Sequence, residues 1–447
     1  MGRKYFGTDG IRGLVNQHPV TAEFASKLGV AAGHYFRSRH EKFRVVIGKD
    51  TRRSCYMLEA ALSSGLMSVG AEVMWLGPIP TPAVGILTKS MRADFGMMIS
   101  ASHNPYHDNG IKLFGGDGFK LSDDIELEIE NLIDNLPDIE LSHPEKVGRT
   151  IRYESAQARY IEVVKASFPR HLSLDGKRIV IDCANGAAYQ VAPQILFELG
   201  AEVIPLSVAP NGFNINASCG ALHPEKMKAA VLEHKADLGI ALDGDADRII
   251  MCDEYGNILN GDVIIGIIAR AMQQRGVLRS GKVATTIMSN MALEKFLNSM
   301  QIDTIQTSVG DRYVVEAMRQ HDLNIGGEQS GHIVLSDYAT TGDGLLAALQ
   351  VLAYMQEIGQ SLYETSQIFT PFPQLLTNVR YARYDPLQDN AVQNEIEKAK
   401  NQMGGDGRIF IRKSGTEPLI RIMVEAEDEN LMQKVSKDLT NYISSKV

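Results

Sequence analysis

The chain has 447 residues, of which 44% are apolar and 22% are charged. This length is sufficient for two to four domains with buried cores, and the composition is that of an ordinary soluble protein. The net charge of −9 argues against binding to nucleic acid or to an anionic membrane surface. Four scattered cysteines and an N-terminal segment without the apolar core of a signal peptide indicate reduced thiols and a cytoplasmic location.

Three stretches of the chain repeat one order of elements: an apolar strand, a helix-length segment, a second strand, and a third strand that leads into a polar loop. The first strands of these repeats are predicted at 44–48, 178–182 and 282–286. Short apolar strands that alternate with helical segments are typical of parallel α/β units. Ligands bind at the carboxyl ends of the strands in such sheets, so the three polar loops are expected to carry function.

The repeats predict an α/β fold class, with three similar mixed α/β sheet domains and a smaller C-terminal α+β domain around a central cleft. The proposed seams are the acidic, proline-containing segment 134–150, the turn-like residues 254–257, and the proline-rich residues 370–373. The predicted domains are 1–150, 151–254, 255–370 and 371–447.

The polar loop of the first repeat, which follows the third strand of that repeat, contains a candidate phosphoryl acceptor. The apolar run Phe95–Ile99 predicts a buried strand, and Asn104-Pro105 forces a turn after it. Ser102 lies between them, where we expect a hydroxyl to be held rigidly yet exposed. Serine is also a common turn former, so this stretch alone does not assign a function. We predict that Ser102 accepts and returns a phosphoryl group, and that Lys112 neutralises its charge or moves protons.

Three aspartates at alternate positions, Asp243, Asp245 and Asp247, follow the apolar run 238–242. Their carboxylates repel one another and would raise their own pKa values unless a cation neutralised them. Oxygen-only ligands favour Mg²⁺ or Mn²⁺ over zinc. The spacing also matches part of a calcium EF-hand loop, but Arg248 stands where that loop requires glycine. We therefore predict a magnesium-type site and reject the EF-hand.

An aspartyl-phosphate enzyme is the second interpretation of the same segment. Such phosphotransferases also present their nucleophile as Asp-x-Asp after an apolar strand, and here that nucleophile would be Asp243. Asp247 stands where a threonine or valine is expected in that class, which weakens this alternative without removing it. Both interpretations remain open on the residues alone.

The third polar loop, 327–332, places a carboxylate, a hydroxyl and an imidazole between glycines: Glu328, Ser330 and His332. These groups suit hydrogen bonds to sugar hydroxyls, and the glycines allow a close approach of the backbone. His332 is equally compatible with a structural histidine.

The C-terminal region predicts two strands around a basic loop, followed by a helix within 428–447 that carries apolar residues at a four-residue spacing. The loop runs from Arg412 to Thr416, and Arg421 lies on the following strand. Cationic side chains, hydroxyls and a glycine-permitted turn of backbone N–H groups suit a phosphate dianion. The alternative is a solvated basic hairpin. The chain has no Gly-Lys-Ser or Gly-Lys-Thr, which excludes a nucleotide P-loop.

Five motifs resemble those of the α-D-phosphohexomutases, occur in the order typical of that family, and span the whole chain. The Glu328-Gln329-Ser330 form of the sugar loop is similar to that of the amino-sugar branch, because mannose-phosphate relatives more often carry Glu-Met-Ser. The five motifs are the segments 7–13, 100–105, 243–248, 327–332 and 412–418.

The resemblance implies four domains around a central cleft, with Ser102 as the phosphoserine. The implied Mg²⁺ ligands are a phosphate oxygen on Ser102 together with Asp243, Asp245 and Asp247. The residues implied to line the reacting centre are Arg12, His103, Lys112 and Arg248. The residues implied to bind the substrate are Glu328, Ser330, His332, Arg412, Ser414, Gly415, Thr416 and Arg421.

The reaction implied by the resemblance interconverts glucosamine 6-phosphate and glucosamine 1-phosphate through a phosphoserine enzyme and a 1,6-bisphosphate, and feeds UDP-N-acetylglucosamine and cell-envelope synthesis. One Mg²⁺ per chain and a sugar 1,6-bisphosphate activator are the implied cofactors. A phosphomannomutase or phosphoglucomutase of the same superfamily and a phosphatase that uses Asp243 are the alternatives. The expected partner is a small sugar phosphate, with no nucleic acid and no membrane, and a homodimer is left open.

Overall fold

The computed structural model describes residues 3–37, 43–136, 139–381, 385–413 and 419–446. The chain divides into two compact units. The first comprises Met1–Ser289 and Leu297–Ile368, and the second comprises Asn290–Phe296 and Phe369–Val447.

The first sheet of the first unit has six strands among the described residues. They are β1 (Ile11–Leu14), β2 (Arg44–Lys49), β3 (Glu72–Pro78), β4 (Phe95–Ile99), β5 (Asp108–Gly115) and β6 (Arg149–Arg152). Their order is β1-β5-β4-β2-β3-β6, and β5 is antiparallel to both of its neighbours. The accompanying helices are α1 (Ala22–Arg37), α2 (Ser54–Ser68), α3 (Thr81–Ser90) and α4 (Asp123–Asp134).

The second sheet has five strands in the described part of the chain. They are β7 (Arg178–Asp182), β8 (Glu202–Leu206), β9 (Leu238–Leu242), β10 (Ile249–Asp253) and β11 (Ile258–Leu259). Their order is β11-β10-β9-β7-β8. The helices of this region are α5 (Ala156–Ala166), α6 (Val191–Glu198) and α7 (Glu225–His234).

The third sheet has four strands within the described ranges. They are β12 (Lys282–Thr286), β13 (Asp303–Thr307), β14 (Ile325–Gly327) and β15 (Ile333–Leu335). Their order is β13-β12-β14-β15. The helices of this region are α8 (Gly261–Gln274), α9 (Met291–Ser299), α10 (Asp311–Gln320), α11 (Gly344–Ile358) and α12 (Leu362–Ser366).

The three sheets share one core arrangement, which confirms the predicted repeat. In each sheet the third strand of the repeat lies between a parallel first strand and an antiparallel strand that follows the polar loop. The triplets are β2-β4-β5, β7-β9-β10 and β12-β14-β15. Every residue of β4, β9 and β14 is buried. The polar loops therefore begin at fixed points, because the strands before them are held on both sides.

Two of the predicted seams coincide with paired strands, one inside a strand and one in the turn of a hairpin. Residue 150 lies inside β6, which pairs with β3 and extends the first sheet through Met74 and Ile151. Residue 254 lies in the turn between β10 and β11, which pair through Cys252 and Ile258. The compositional signals for a linker therefore coincide with short edge strands at these two places.

Within the second unit, the described residues from 369 onward form a three-stranded antiparallel sheet with two helices, as predicted for a small α+β domain, and the first six residues of α9 also belong to this unit. The strands are β16 (Gln374–Arg380), β17 (Gly407–Lys413) and β18 (Leu419–Ala426), in the order β16-β18-β17. The helices are α13 (Asn390–Met403) and α14 (Glu429–Ser444). Asp428 caps α14 by accepting from the backbone N–H groups of Asn430 and Leu431, which explains where the helix begins.

Across the described residues, none of the helices combines the length and the apolar character that crossing a membrane requires.

Candidate active site

Ser102 lies in the loop after β4, directly against the aspartate cluster. Its backbone has a φ of 52°, in the left-handed region that residues other than glycine seldom adopt. Its hydroxyl donates to Asp243 Oδ2 at 2.6 Å and lies 3.3 Å from His103 Nδ1. The structure thus brings the predicted phosphoryl acceptor into contact with the predicted metal ligands, although 141 residues separate them in the sequence.

The cluster of Asp243, Asp245 and Asp247 has the properties of a site for a hard divalent cation. All three residues are buried, and one carboxylate oxygen from each lies within 4.8 Å of the others. Asp245 Oδ1 and Asp247 Oδ1 are buried without a hydrogen-bond partner. Burial and repulsion from the other two carboxylates raise the pKa of Asp243 well above its ordinary value. Because unpartnered buried carboxylate oxygens are costly, this oxygen-only donor set fits a metal ion of the Mg²⁺ type.

Lys112 and Thr81 fix the orientation of the middle carboxylate. Asp245 Oδ2 accepts from Thr81 Oγ1 at 2.6 Å and from Lys112 Nζ at 3.0 Å, and Lys112 Nζ also lies 3.2 Å from Asp247 Oδ2. Burial disfavours the charged form of Lys112, but Asp245, Asp9 and Asp247 outweigh it and hold the pKa of this lysine well above its ordinary value. Lys112 therefore remains a cation, which favours charge neutralisation over proton transfer.

Asp9 is the acceptor at which three cations of the site meet. Its carboxylate forms ion pairs with Arg12, with Lys112 at 3.1 Å, and with Lys120. Lys120 also pairs with Asp311, the first residue of α10, and so links the first and third sheets. The glycine-rich motif 7–13 was predicted from the sequence, but this role of its aspartate was not.

His103 and Arg248 lie on either side of the Ser102–Asp243 contact. Burial, together with the charges of Arg248 and Arg12, lowers the pKa of His103 to about 4, so its imidazole is neutral at pH 7. The backbone N–H of Arg248 donates to Asp243 Oδ1 at 3.2 Å, and its Nε is buried without a hydrogen-bond partner. That Nε lies 4.0 Å from Asp247 Oδ1, so the guanidinium is placed beside the aspartate cluster and is part of its charge balance.

The third polar loop is shaped by Glu328. Its Oε1 accepts from the backbone N–H of Gly310 at 3.0 Å, and its Oε2 accepts from Ser330 Oγ at 3.3 Å. Ser330 is exposed, whereas Glu328 is 9% exposed. The loop presents a hydroxyl to solvent and holds the carboxylate beside it.

His332 is buried between two carboxylates. Its Nδ1 lies 3.7 Å from Asp247 Oδ2 and its Nε2 lies 3.7 Å from Asp311 Oδ2, while the backbone N–H of Gly342 donates to Nε2 at 3.2 Å. Burial opposes the charged form, but Asp247 and Asp311 outweigh it and raise the pKa of His332. This position suits orientation of Asp247, and direct contact with substrate stays a prediction.

In the second unit, Arg412 on β17 and Arg421 on β18 are directly opposite partners. Both are exposed. Like charges directly opposite each other on an antiparallel pair are destabilising unless an anion lies between them. The predicted residues Ser414, Gly415 and Thr416 lie outside the described residues.

Comparison with known proteins accounts for this arrangement. Four models of phosphoglucomutase/phosphomannomutase domains match the chain: α/β/α domain I at residues 3–139, domain II at 158–256, domain III at 260–372, and the C-terminal domain at 376–441. The chain belongs to the phosphoglucomutase/phosphomannomutase family. As a member of it, the chain is an isomerase-class phosphotransferase with the predicted four-domain composition.

Relatives within the phosphoglucomutase/phosphomannomutase family are similar over almost their entire length. A protein of Parvibaculum lavamentivorans named phosphoglucosamine mutase is 56% identical over 443 residues, covering 99% of each chain. A protein of Caulobacter vibrioides with the same name is 57% identical over 444 residues, again covering 99% of each.

Solved structures share the fold of the family at low sequence identity. A family protein from Burkholderia thailandensis has a TM-score of 0.84 at 21% identity and covers 100% of this chain and 98% of its own. Aspergillus fumigatus N-acetylphosphoglucosamine mutase, in complex with GlcNAc-6P and magnesium, has a TM-score of 0.67 at 17% identity, with coverage of 99% and 96%.

Proposed function

We propose that the chain interconverts glucosamine 6-phosphate and glucosamine 1-phosphate through a phosphorylated Ser102. The observation that carries this proposal is the 2.6 Å contact between the Ser102 hydroxyl and Asp243, inside a cluster of three carboxylates. The name shared by relatives at 56% and 57% identity supports an amino sugar phosphate as the substrate. It also favours a mutase over a phosphatase that uses Asp243.

In the proposed cycle, the phosphoryl group moves from Ser102 to the free hydroxyl of the sugar phosphate. The bond from Ser102 Oγ to phosphorus breaks while the bond from the sugar oxygen to phosphorus forms, and in net balance one proton passes from that sugar oxygen to Ser102 Oγ. The bisphosphate then presents its other end, and the reverse transfer regenerates phosphoserine and releases the product. A transfer of this kind depends on positioning and charge stabilisation more than on covalent help.

The side chains around Ser102 have separate tasks in this cycle. Arg248 and Arg12 stabilise the charge on the transferring phosphoryl oxygens. His103 is neutral and its Nδ1 lies 3.3 Å from Ser102 Oγ, so it is the candidate for the group that transfers the proton from the sugar hydroxyl to Ser102 Oγ. Lys112 holds Asp245 and Asp247 in place.

Mg²⁺ is the proposed cofactor, held by Asp243, Asp245, Asp247 and a phosphate oxygen on Ser102, where it supplies Lewis-acid polarisation of the phosphoryl oxygens. The oxygen-only donors and the unpartnered atoms of Asp245 and Asp247 support this choice. A sugar 1,6-bisphosphate is the proposed activator, since it can phosphorylate Ser102 before the first turnover.

The sugar and its second phosphate are proposed to bind at two further places. Glu328, Ser330 and His332 belong to the sugar loop, and the exposed Ser330 hydroxyl beside Glu328 supports that assignment. The non-reacting phosphate is proposed to bind the opposed Arg412 and Arg421. Residues Ser414, Gly415 and Thr416 complete this proposed phosphate site.

Replacing Arg421 by alanine is expected to raise the KM for glucosamine 6-phosphate by about 10- to 100-fold, with kcat close to that of the wild type, because one charge-assisted contact to the non-reacting phosphate is lost. Steady-state kinetics with saturating bisphosphate measure both constants. Lys434→Ala, which removes an exposed cation from α14 of the same unit, is the matched control. A wild-type KM in Arg421→Ala would argue against the phosphate site.

A phosphopeptide map tests the central claim. The protein is incubated with labelled glucosamine 1,6-bisphosphate and digested, and the proposal expects an acid-stable, alkali-labile label on Ser102. A hydroxylamine-sensitive label on Asp243, with release of inorganic phosphate, would instead establish the phosphatase alternative. Ratios of kcat/KM for glucosamine, glucose and mannose 6-phosphates then decide between the mutases of the superfamily.

A cytoplasmic location and a homodimer complete the proposal. Net charge and the scattered cysteines support the location. Light scattering after size exclusion measures the assembly, and a monomeric mass at micromolar concentration would remove the dimer.

A further inference from the structure

The loop that carries Ser102 is held by its backbone carbonyls. The guanidinium of Arg52 donates to Pro105 O at 2.6 Å, to Asn104 O at 2.9 Å and to Ser102 O at 3.0 Å. Asn216, in the loop between β8 and α7, donates through Nδ2 to the same Ser102 and Asn104 carbonyls at 2.9 and 3.0 Å. Two side chains, one from the loop after β2 and one from the loop after β8, thus donate to the same two backbone carbonyls.

The buried guanidinium of Arg52 donates only to these carbonyls and to Asp50 among the described residues. It is 0% exposed, and its charge is balanced by Asp50, whose Oδ2 accepts from Arg52 Nε at 2.9 Å. Ser100 Oγ donates to the same Asp50 oxygen at 2.7 Å and accepts from the Ser102 backbone N–H at 2.9 Å. A buried guanidinium is tolerated only when its charge and donors are satisfied. Here these contacts fix the peptide groups on both sides of Ser102.

The backbone of Ser102 needs such support. Its left-handed φ of 52° is an unfavourable conformation for a serine and persists only where the surroundings enforce it. The loop that carries Asp243, Asp245 and Asp247 packs closely against the same carbonyl: a Cβ added at Gly244 would lie 2.5 Å from Ser102 O. The position of this one oxygen therefore sets the spacing between the Ser102 loop and the aspartate cluster.

We propose that Arg52 and Asn216 are positioning residues for phosphoryl transfer, acting through the carbonyls of Ser102 and Asn104. They keep Ser102 Oγ at the distance from Asp243 that transfer requires while the phosphoryl group arrives and leaves. This inference rests on the proposed function, because it takes Ser102 to be the phosphoryl carrier. A misplacement of about 1 Å at a reacting centre can lower the rate roughly 100-fold, so small shifts of the loop suffice to slow transfer.

Truncating variants and an isosteric variant of Asn216 distinguish a hydrogen-bonding role of this side chain from a space-filling role. Asn216→Ala removes the donor but places alanine at a left-handed φ of 58°, so Asn216→Gly, which removes the donor without that strain, is measured beside it. We expect both to lower kcat and the single-turnover rate of Ser102 labelling by about 10-fold, with KM unchanged. Asn216→Asp keeps the shape but sets a carboxylate against two carbonyls, so we expect a larger loss than for alanine. A space-filling role predicts the opposite order, with Asn216→Asp close to the wild type.

Arg52→Lys keeps the positive charge beside Asp50 but removes the fork that reaches three carbonyls. We expect a fall in kcat of roughly 100-fold with KM unchanged, measured on protein whose far-ultraviolet circular dichroism matches the wild type. If this buried substitution prevents folding, the Asn216 variants decide the question without it.

The matched control is Asn214→Ala, because Asn214 lies in the same loop as Asn216 but its Nδ2 donates to Ala209 O at 3.1 Å. We expect its kcat and labelling rate to equal those of the wild type. Equal losses in the Asn214 and Asn216 variants, wild-type kinetics in the Asn216 variants, or an Asn216→Asp milder than Asn216→Ala would each overturn the inference. A wild type that places no label on Ser102 would instead overturn the proposed function.

Discussion

Ser102→Ala is expected to abolish turnover, by at least roughly 10⁴-fold in kcat, while the protein stays folded. In the proposed cycle, Ser102 Oγ is the atom that the phosphoryl group leaves and rejoins, and alanine has no oxygen at that position. The stability cost is about 1–3 kcal/mol, because the buried Asp243 Oδ2 loses this donor and the contact with His103 Nδ1 is lost as well. A coupled assay for glucosamine 1-phosphate measures the rate, and thermal unfolding measures the stability.

Ser68→Ala is the matched control for that experiment. Ser68 ends α2 and its hydroxyl donates to Gly65 O at 2.7 Å within the same helix. It should retain wild-type turnover and carry label on Ser102. Measurable mutase activity in Ser102→Ala would require another phosphoryl acceptor and would contradict the proposed role of Ser102.

Asp245→Asn is expected to weaken Mg²⁺ binding and to lower kcat together. The amide removes one of three negative charges, and it also leaves Lys112 and Thr81 without the carboxylate oxygen that they share. We expect the dissociation constant for Mg²⁺ to rise by at least about 10-fold. Calorimetric titration of the unphosphorylated protein measures this constant directly.

A second readout of the Asp245 variant does not depend on activity. A ligand that binds the folded state raises the unfolding temperature more at a given concentration the tighter it binds, so Mg²⁺ should stabilise the wild type more than Asp245→Asn. Asp237→Asn, which alters a carboxylate beside Lys177 in the same sheet, should respond to Mg²⁺ as the wild type does. An unchanged Mg²⁺ affinity in Asp245→Asn would reassign the aspartate cluster.

The elements that were predictable from the sequence are those defined by local patterns. The bounds of β4 (Phe95–Ile99) follow from one apolar run before a turn, and those of β7 and β12 follow from comparison with the segment 44–48 of β2. Local residue patterns do not predict which strands, distant in the sequence, pair by hydrogen bonds. The acidic, proline-containing segment near residue 150 therefore indicated a linker, whereas β6 forms within it by pairing with β3.

The candidate site also combines residues that local patterns predict with residues that only long-range contacts bring in. The motifs located Ser102, the three aspartates and Glu328, because each follows a buried strand. They did not identify Thr81, which donates to Asp245 across 164 positions, or Lys120, which reaches Asp311 across 191. Arg52 stands in a polar stretch typical of a solvated turn, yet it is fully buried. Contacts of this range depend on how the sheets are assembled, which local residue patterns do not encode.

The burial of Ser102 also bears on how the enzyme is first charged with phosphate. The exposure expected for Ser102 from the sequence is wrong: residue 102 is 1% exposed, because the loop packs against the aspartate cluster and hydrogen bonds hold the chain on both sides of it. A protein kinase binds its acceptor as an extended, accessible peptide, which this segment would become only by unfolding locally. If Ser102 carries the phosphoryl group as proposed, its first phosphorylation favours a small sugar bisphosphate donor over a protein kinase, and this step would depend on the supply of that donor.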